Sequence, residues 1–419
     1  MREMKDSGIE WVGQIPKDWD VVPHKRVMHK VKKICEQYSG EDIISLTMNG
    51  VIKRDLTAGG KMPTSFDGYQ YVKPNDLLLC LFDIDVTPRC VGVVKDYGVT
   101  SPAYSRFVMH DGYYNAYYDY LLRAIDDDKV FVHLSKNLRS SLTESDFGAI
   151  KTCVPSLAEQ KRIVTFLDAQ CAEIDAVLEK TRASIEEYKK LKQAVITQAV
   201  TKGIRGDRPM KDSGSVWFEE IPCNWVMKRI KYLFHIKKDI AGKEGYTVLS
   251  ITQSGIKPKD LSKNEGQLAD NYSHYQLLNP GDFAMNHMDL LTGWVDISKY
   301  SGVTSPDYRV FVLDDAEKND SSYYLYLMQM CYFNRIFYGL GQGVSGMGRW
   351  RLQADKFLNF PVVVPPVDEQ KEIASYLNEK CSCIEVMIAK KQQHLIEIEN
   401  YKKSLIYEYV TGKKEVLPL

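Results

Sequence analysis

Two stretches of this chain carry apolar positions that advance by alternating steps of four and three residues. The first runs Ile163, Leu167, Cys171, Ile174, Leu178, Thr181, Ile185, Tyr188, Lys192, Val195 and Ala199. The second runs Ile373, Leu377, Cys381, Ile384, Ile388, Lys391, Leu395, Ile398, Lys402, Leu405 and Tyr409. This spacing keeps one seam of a helix against a partner helix. No Gly or Pro interrupts residues 157–202 or 367–411, so each stretch predicts one long helix. Ser156 with Glu159 predicts a capping box at the first start, and Gly203 and Gly412 predict the stops. At the second start Pro366 replaces the serine, which a first helical turn accepts. Lys192, Lys391 and Lys402 interrupt the seam.

Elsewhere the pattern shortens to β-type runs, such as Asp76 to Phe82, Val91 to Val94 and Phe360 to Val364, punctuated by Gly, Pro and Asn. Residues 1–155 and 204–364 therefore predict mixed α/β globules, followed by helices over 156–203 and 365–412 and a tail over 413–419.

The two halves repeat one another. Met4-Lys5-Asp6-Ser7-Gly8 returns as Met210-Lys211-Asp212-Ser213-Gly214, and Trp11, Ile15, Pro16 and Trp19 return as Trp217, Ile221, Pro222 and Trp225. Val99-Thr100-Ser101-Pro102 recurs as Val303-Thr304-Ser305-Pro306, and Pro155, Glu159-Gln160-Lys161 and Ile163 recur as Pro365, Glu369-Gln370-Lys371 and Ile373. The order is kept and the separation drifts by only a few residues, as duplication with small loop changes produces. The expected class is α+β: two globules and two long helices that bury their seams in an antiparallel coiled coil, with an approximate twofold relating the copies. At 1.5 Å per residue such helices span roughly 65 Å. Two similar heads on a rigid helical pair suit a target with two separated subsites, as duplex DNA presents.

Composition qualifies this reading. Of 419 residues, 55 are Lys or Arg and 55 are Asp or Glu, so any polyanion surface must come from local clustering. Nine cysteines without a Cys-x-x-Cys pair indicate neither a disulfide framework nor a zinc site. The first residues lack the apolar core of a signal peptide and no run reaches membrane-spanning length, so a cytoplasmic location is expected.

The candidate DNA-contacting residues sit in loops. Lys53 and Arg54 match Lys257 and Lys259 after Gly50 and Gly255. Arg139 matches Arg349, which lies in a Gly-rich loop with Gln342, Ser345 and Arg351. Gly lets backbone approach a ligand, and Arg, Lys and Gln pair with phosphates or base edges. Lys61, His274 and Trp294 are further candidates. For any one of them the plainer reading is a solvated charge or a shared ion pair.

Enzyme readings find little. The Asn/Asp-Pro-Pro-aromatic motif of an adenine methyltransferase is absent, and Asn279-Pro280-Gly281-Asp282 lacks its second proline and aromatic. Its counterpart Pro74-Asn75-Asp76 reads as a turn. Glu159-x-Lys161 and Glu369-x-Lys371 resemble a nuclease tripeptide but fall in a first helical turn, where carboxylates favour the helix dipole. No Walker loop occurs.

The opening Met4-Lys5-Asp6-Ser7-Gly8 with Ile15-Pro16 and Trp19, the block from Gly293-Trp294-Val295 to Ser305-Pro306, Val364-Pro365-Pro366-Val367-Asp368-Glu369-Gln370, and the closing Tyr401-Lys402-Lys403-Ser404-Leu405-Ile406 with Val410-Thr411-Gly412 resemble the specificity subunits of Type I restriction-modification systems. The resemblance spans nearly the full chain. It implies two target recognition domains, each reading half of a bipartite, asymmetric DNA sequence, with the helices as a ruler and no catalytic site in this chain. It also implies two modification (methyltransferase) subunits and restriction (translocase/endonuclease) subunits as partners. S-adenosylmethionine, ATP and Mg would then be bound by those partners. The alternative is a coiled-coil scaffold, or a recognition subunit of another methyltransferase or nuclease system. The seam residues Ile163, Leu167, Ile174, Leu178, Ile185, Ile373, Leu377, Ile384, Ile388 and Leu395 are expected to hold the coiled coil and partners.

Overall fold

A computed structural model describes residues 2–48, 50–57, 63–87, 89–135, 140–260, 271–343 and 350–416. The chain divides into two compact units, one of residues 1–182 with 393–419 and one of residues 183–392. Each unit takes part of both long helices, Leu157–Lys202 and Val367–Val410.

The first unit is organised by a four-stranded sheet in which Ser105–Met109 lies between Met28–Val31 and Leu77–Leu79, with Val91–Val93 beyond. A second sheet joins the hairpin Ile43–Thr47 and Gly50–Lys53 to Gly98–Thr100 and Gln70–Val72. The helix Asn115–Asp127 covers the first sheet. The second unit repeats this plan with Phe234–Lys237, Arg309–Leu313, Phe283–Met285 and Val295–Ile297 in the sheet and Ser321–Phe333 as the covering helix. Its hairpin is Leu249–Thr252 with Gly255–Pro258.

The repeated motifs prove to be framework. Asp6 and Asp212 accept the backbone N–H of Gly8 and Gly214 at 2.9 Å, closing a turn in which each glycine has positive φ. The buried Gln70 and Gln276 donate to the carbonyls of Ser101 and Tyr104, and of Ser305 and Tyr308, while Thr100 and Thr304 donate to Ile44 O and Leu249 O, so the recurring Thr-Ser-Pro is anchored alike in both copies. Asp76 and Asp282 each accept the backbone N–H three residues upstream, so both the Pro74-Asn75-Asp76 and Asn279-Pro280-Gly281-Asp282 stretches are turns.

The helix starts refine the expectation from sequence. Ser156 Oγ does accept the Glu159 N–H at 3.3 Å. The Glu159 carboxylate does not complete a box; it accepts the buried Trp19 indole N–H at 3.0 Å and the Arg2 guanidinium. Glu369 repeats this with Trp225 at 3.0 Å and with Arg208. The next residues act as a second clasp. Gln160 accepts the Tyr114 N–H and donates to Pro155 O, and Gln370 accepts the Asp320 N–H and donates to Pro365 O. Burial of polar groups is tolerable because each finds a partner.

Each globule also grips the end of the other copy's helix. Tyr117 donates to Val410 O at 2.7 Å in the first unit, and Tyr323 donates to Val200 O at 3.1 Å in the second. Within each unit the two helix segments therefore run antiparallel. Every seam position of both helices is buried or half-buried, while Cys381 is buried and Cys383 exposed. The interrupting lysines are answered across the seam. Lys402 pairs with Asp175 at 2.6 Å, Lys192 pairs with Glu385, and Lys391 lies over the Tyr188 ring at 5.7 Å. Gly412, at φ +71°, ends the second helix where a Cβ would clash with the Pro16 ring, so this stop is imposed by packing as well as by conformation.

The copies differ inside their cores as well. His24 is fully buried, lies tilted against the Phe147 ring with centroids 4.6 Å apart, and has no hydrogen-bond partner on either ring nitrogen among the described residues; the matching position is Ile230. Burial lowers its pKa to about 4. The unfolded chain thus binds one more proton than the folded chain between pH 4 and about 6.5. The stabilisation is complete above that window and is lost as pH falls through it, by roughly 3 kcal/mol. His24→Ile should flatten this part of the acid-denaturation profile; equal slopes for both proteins would show that His24 does not titrate there.

Candidate nucleic-acid interface

In the second unit three loops form one connected surface. The hairpin places Lys257 opposite Ser250 and turns through Gly255 at φ +97°. Gln253 Nε2 donates to Thr292 O at 3.2 Å, and Asp296 accepts the Ile256 N–H at 3.0 Å, which fixes the hairpin on the segment 286–296. That segment also binds the third loop, because Leu352 N–H donates to His287 O at 3.0 Å. Gln342 and Arg351 exchange backbone hydrogen bonds of 2.9 and 3.0 Å and close the base of the Gly-rich loop. Lys257, Gln342 and Arg351 are thus brought to one surface.

In the first unit the hairpin tip is held similarly, with Arg89 Nε donating to Met48 O at 3.2 Å while Arg89 faces Asp127 at 3.7 Å. Lys53 lies at the hairpin's end and pairs with Asp42 at 2.8 Å and Asp96 at 3.8 Å. The Asp42 hydrogen bond, with the fields of both carboxylates, raises its pKa. Its charge is largely answered within the fold, so a phosphate would have to compete with two aspartates.

The remaining sequence candidates scatter. Arg54 and Lys259 donate backbone N–H groups to Ile43 O and Val248 O and border the hairpins. His274 is exposed in the turn before Gln276–Leu278. Trp294 is half-buried, packs between two core clusters and lies 6.2 Å from Tyr332, a structural role that its exposed-loop sequence context concealed. Lys61, Arg139, Ser345 and Arg349 lie outside the described residues.

Sequence reading did not single out Lys238, His287 and Arg309, which line one cavity of the second unit. Arg309 is 6% exposed, donates to Leu352 O at 2.9 Å, and packs over the Phe357 ring at 5.1 Å. Burial lowers its pKa to about 10, still well above neutrality, so it stays charged. Burial, together with the nearby Arg309 and Arg351, lowers the His287 pKa to about 4, so its ring is neutral at pH 7. An arginine inside a β-strand gives no period-breaking sign beyond one charge in an apolar run, which many edge strands share. Among the described residues no group of three or more His, Cys, Asp or Glu is placed to hold a metal ion. No described helix is long and apolar enough to cross a membrane.

Residues 222–398 match the family model described as the Type I restriction modification DNA specificity domain. The chain is 26% identical over 285 residues to the Type I restriction enzyme MjaVIII specificity subunit of Methanocaldococcus jannaschii, covering 64% of this chain and 63% of that subunit. It is 22% identical to the putative type I restriction enzyme MjaX specificity subunit of the same organism, over 97% of this chain and 96% of that subunit. A solved chain from work on complex assembly and conformational transition of the type I R-M system superposes with a TM-score of 0.69 at 13% identity, covering 96% of this chain and 99% of that one. That likeness concerns the fold.

Proposed function

We propose that the chain is a DNA specificity subunit of the Type I restriction-modification kind and that each of its globules reads one half of a bipartite duplex site. The observation that carries this reading is the contrast between framework and loops. The Arg-Trp-Glu-Gln clasp recurs residue for residue at both helix starts. The loops above it carry different side chains, with Lys53 and Arg89 in one unit and Lys257, Gln342 and Arg351 in the other. A duplicated frame under unlike loops suits two unlike half-sites, since base choice depends on which side chains reach the groove.

On this reading the helices of 46 and 44 residues set the spacer. Two modification subunits and the restriction subunits would dock on the chain and would carry S-adenosylmethionine, ATP and Mg. The recognition subunit itself would perform no bond chemistry: Glu159 and Glu369, the carboxylates that suggest a nuclease, are occupied by indole and guanidinium donors. Selection of bound duplexes from a random library should return two defined blocks separated by a fixed spacer. Binding should weaken steeply with salt through counterion release. Recovery of one contiguous block, or no duplex binding at all, would overturn the proposal.

A further inference from the structure

We propose that the second unit, unlike the first, contains a pocket for a phosphate ester of the DNA backbone, floored by Arg309 and flanked by Lys238 and His287. This inference rests on the DNA-reading function proposed above. The cavity holds about 830 Å³, room for a sugar-phosphate segment beyond a lone oxyanion. Its described lining residues include Lys237, Lys238 and Arg309 but no carboxylate.

The charge balance identifies what the pocket lacks. Buried arginines are ordinarily matched by a carboxylate. Arg106 in the first unit is, through Asp76 at 2.6 Å. In the second unit the matching aspartate, Asp282, is taken by Lys237 at 2.6 Å. The swap is coherent, since Arg106 faces Val31 across the strands and Lys237 faces Val310, so one cation changes strand and keeps the same aspartate. Arg309 is then an additional buried cation, held by Leu352 O, a weak Met285 Sδ contact and the Phe357 face, with no carboxylate bonded to it among the described residues. Lys238 is exposed at the rim and makes no ion pair among the described residues. His287 Nδ1 is buried without a hydrogen-bond partner among the described residues, and a neutral imidazole can donate to an anionic oxygen.

Place favours DNA over a free anion. Leu352 links the pocket floor to the reading loop, because its carbonyl accepts from Arg309 while its N–H donates to His287 O. A phosphodiester seated here would bring the adjoining bases beside Gln342 and Arg351. The first unit lacks the set. Leu142 N–H donates to Leu81 O at 2.8 Å, which marks Leu81 as the counterpart of His287. The sheet registers place Ser105 where Arg309 stands and Val31 where Lys237 stands.

The test is fluorescence anisotropy of a random-sequence duplex with the full chain, across a salt series. Lys238→Ala, a rim change that leaves the core intact, and Arg309→Met, which keeps the apolar stem, should each weaken binding about tenfold at low salt and reduce the salt slope by about one. Thermal unfolding of both variants separates lost contacts from lost structure. Unchanged affinity and slope for Lys238→Ala would overturn the pocket. If inorganic pyrophosphate binds the native chain and not Arg309→Met, while duplex affinity is the same for both, the pocket serves a free anion and the DNA assignment falls. Failure of the native chain to bind any duplex would instead remove the DNA-reading function on which the inference rests.

Discussion

Glu369→Ala is expected to lower the unfolding free energy by about 3–5 kcal/mol, the cost of stranding buried polar partners after one member of a buried ion pair is removed. The Glu369 side chain is 1% exposed and is the acceptor for both the Trp225 indole N–H and the Arg208 guanidinium. Truncation leaves an indole donor and most of a guanidinium without an acceptor inside the second unit. Water cannot replace the carboxylate without opening the junction between globule and helix. Glu369→Gln keeps a hydrogen-bond acceptor but loses the charge, and should fall between the two. Denaturant unfolding followed by tryptophan fluorescence reads the loss and, through Trp225, the site itself. A change below about 1 kcal/mol would mean the clasp is no stronger than an exposed ion pair. Glu159→Ala should act in the same way on the first unit, since Trp19 and Arg2 repeat the arrangement.

Removing one matched heptad from both helices, residues 183–189 and 388–394, should abolish recognition at the original sites and create recognition at sites with a shorter spacer. The two segments face each other in the antiparallel pairing, as the contact between Tyr188 and Lys391 shows. Removing both preserves the seam, whereas removing one alone would shift every following pair out of register. Seven helical residues correspond to about 10 Å, or about three base pairs of duplex. Sequencing of methylated sites in cells carrying the variant together with the modification subunit proposed as its partner would read the new spacer. Retention of the original spacer would show that the helices do not set it.

The sequence was most legible where one physical rule dominates. A seam repeated every three and four residues, free of Gly and Pro, leaves little choice but a long helix, and the helices Leu157–Lys202 and Val367–Val410 follow those limits closely. The turn at Asp6-Ser7-Gly8 is equally local, since the aspartate bonds two residues on and the glycine takes positive φ. Less legible was the use of residues whose partners are distant in the chain. Glu159 reads as a helix-start carboxylate, yet its partner Trp19 lies 140 residues away. Lys402 reads as a flaw in the seam until Asp175 appears opposite it.

By itself the sequence determined the duplication, the two long helices and the class of fold, because periodicity and internal repetition are properties of residue order. Only the tertiary structure decided which charges are spent on the framework and which remain available. Lys53, Arg106 and Lys237 are paired with aspartates, whereas Arg309 is buried without one among the described residues, and that difference depends on strand register and burial, which residue order alone does not state.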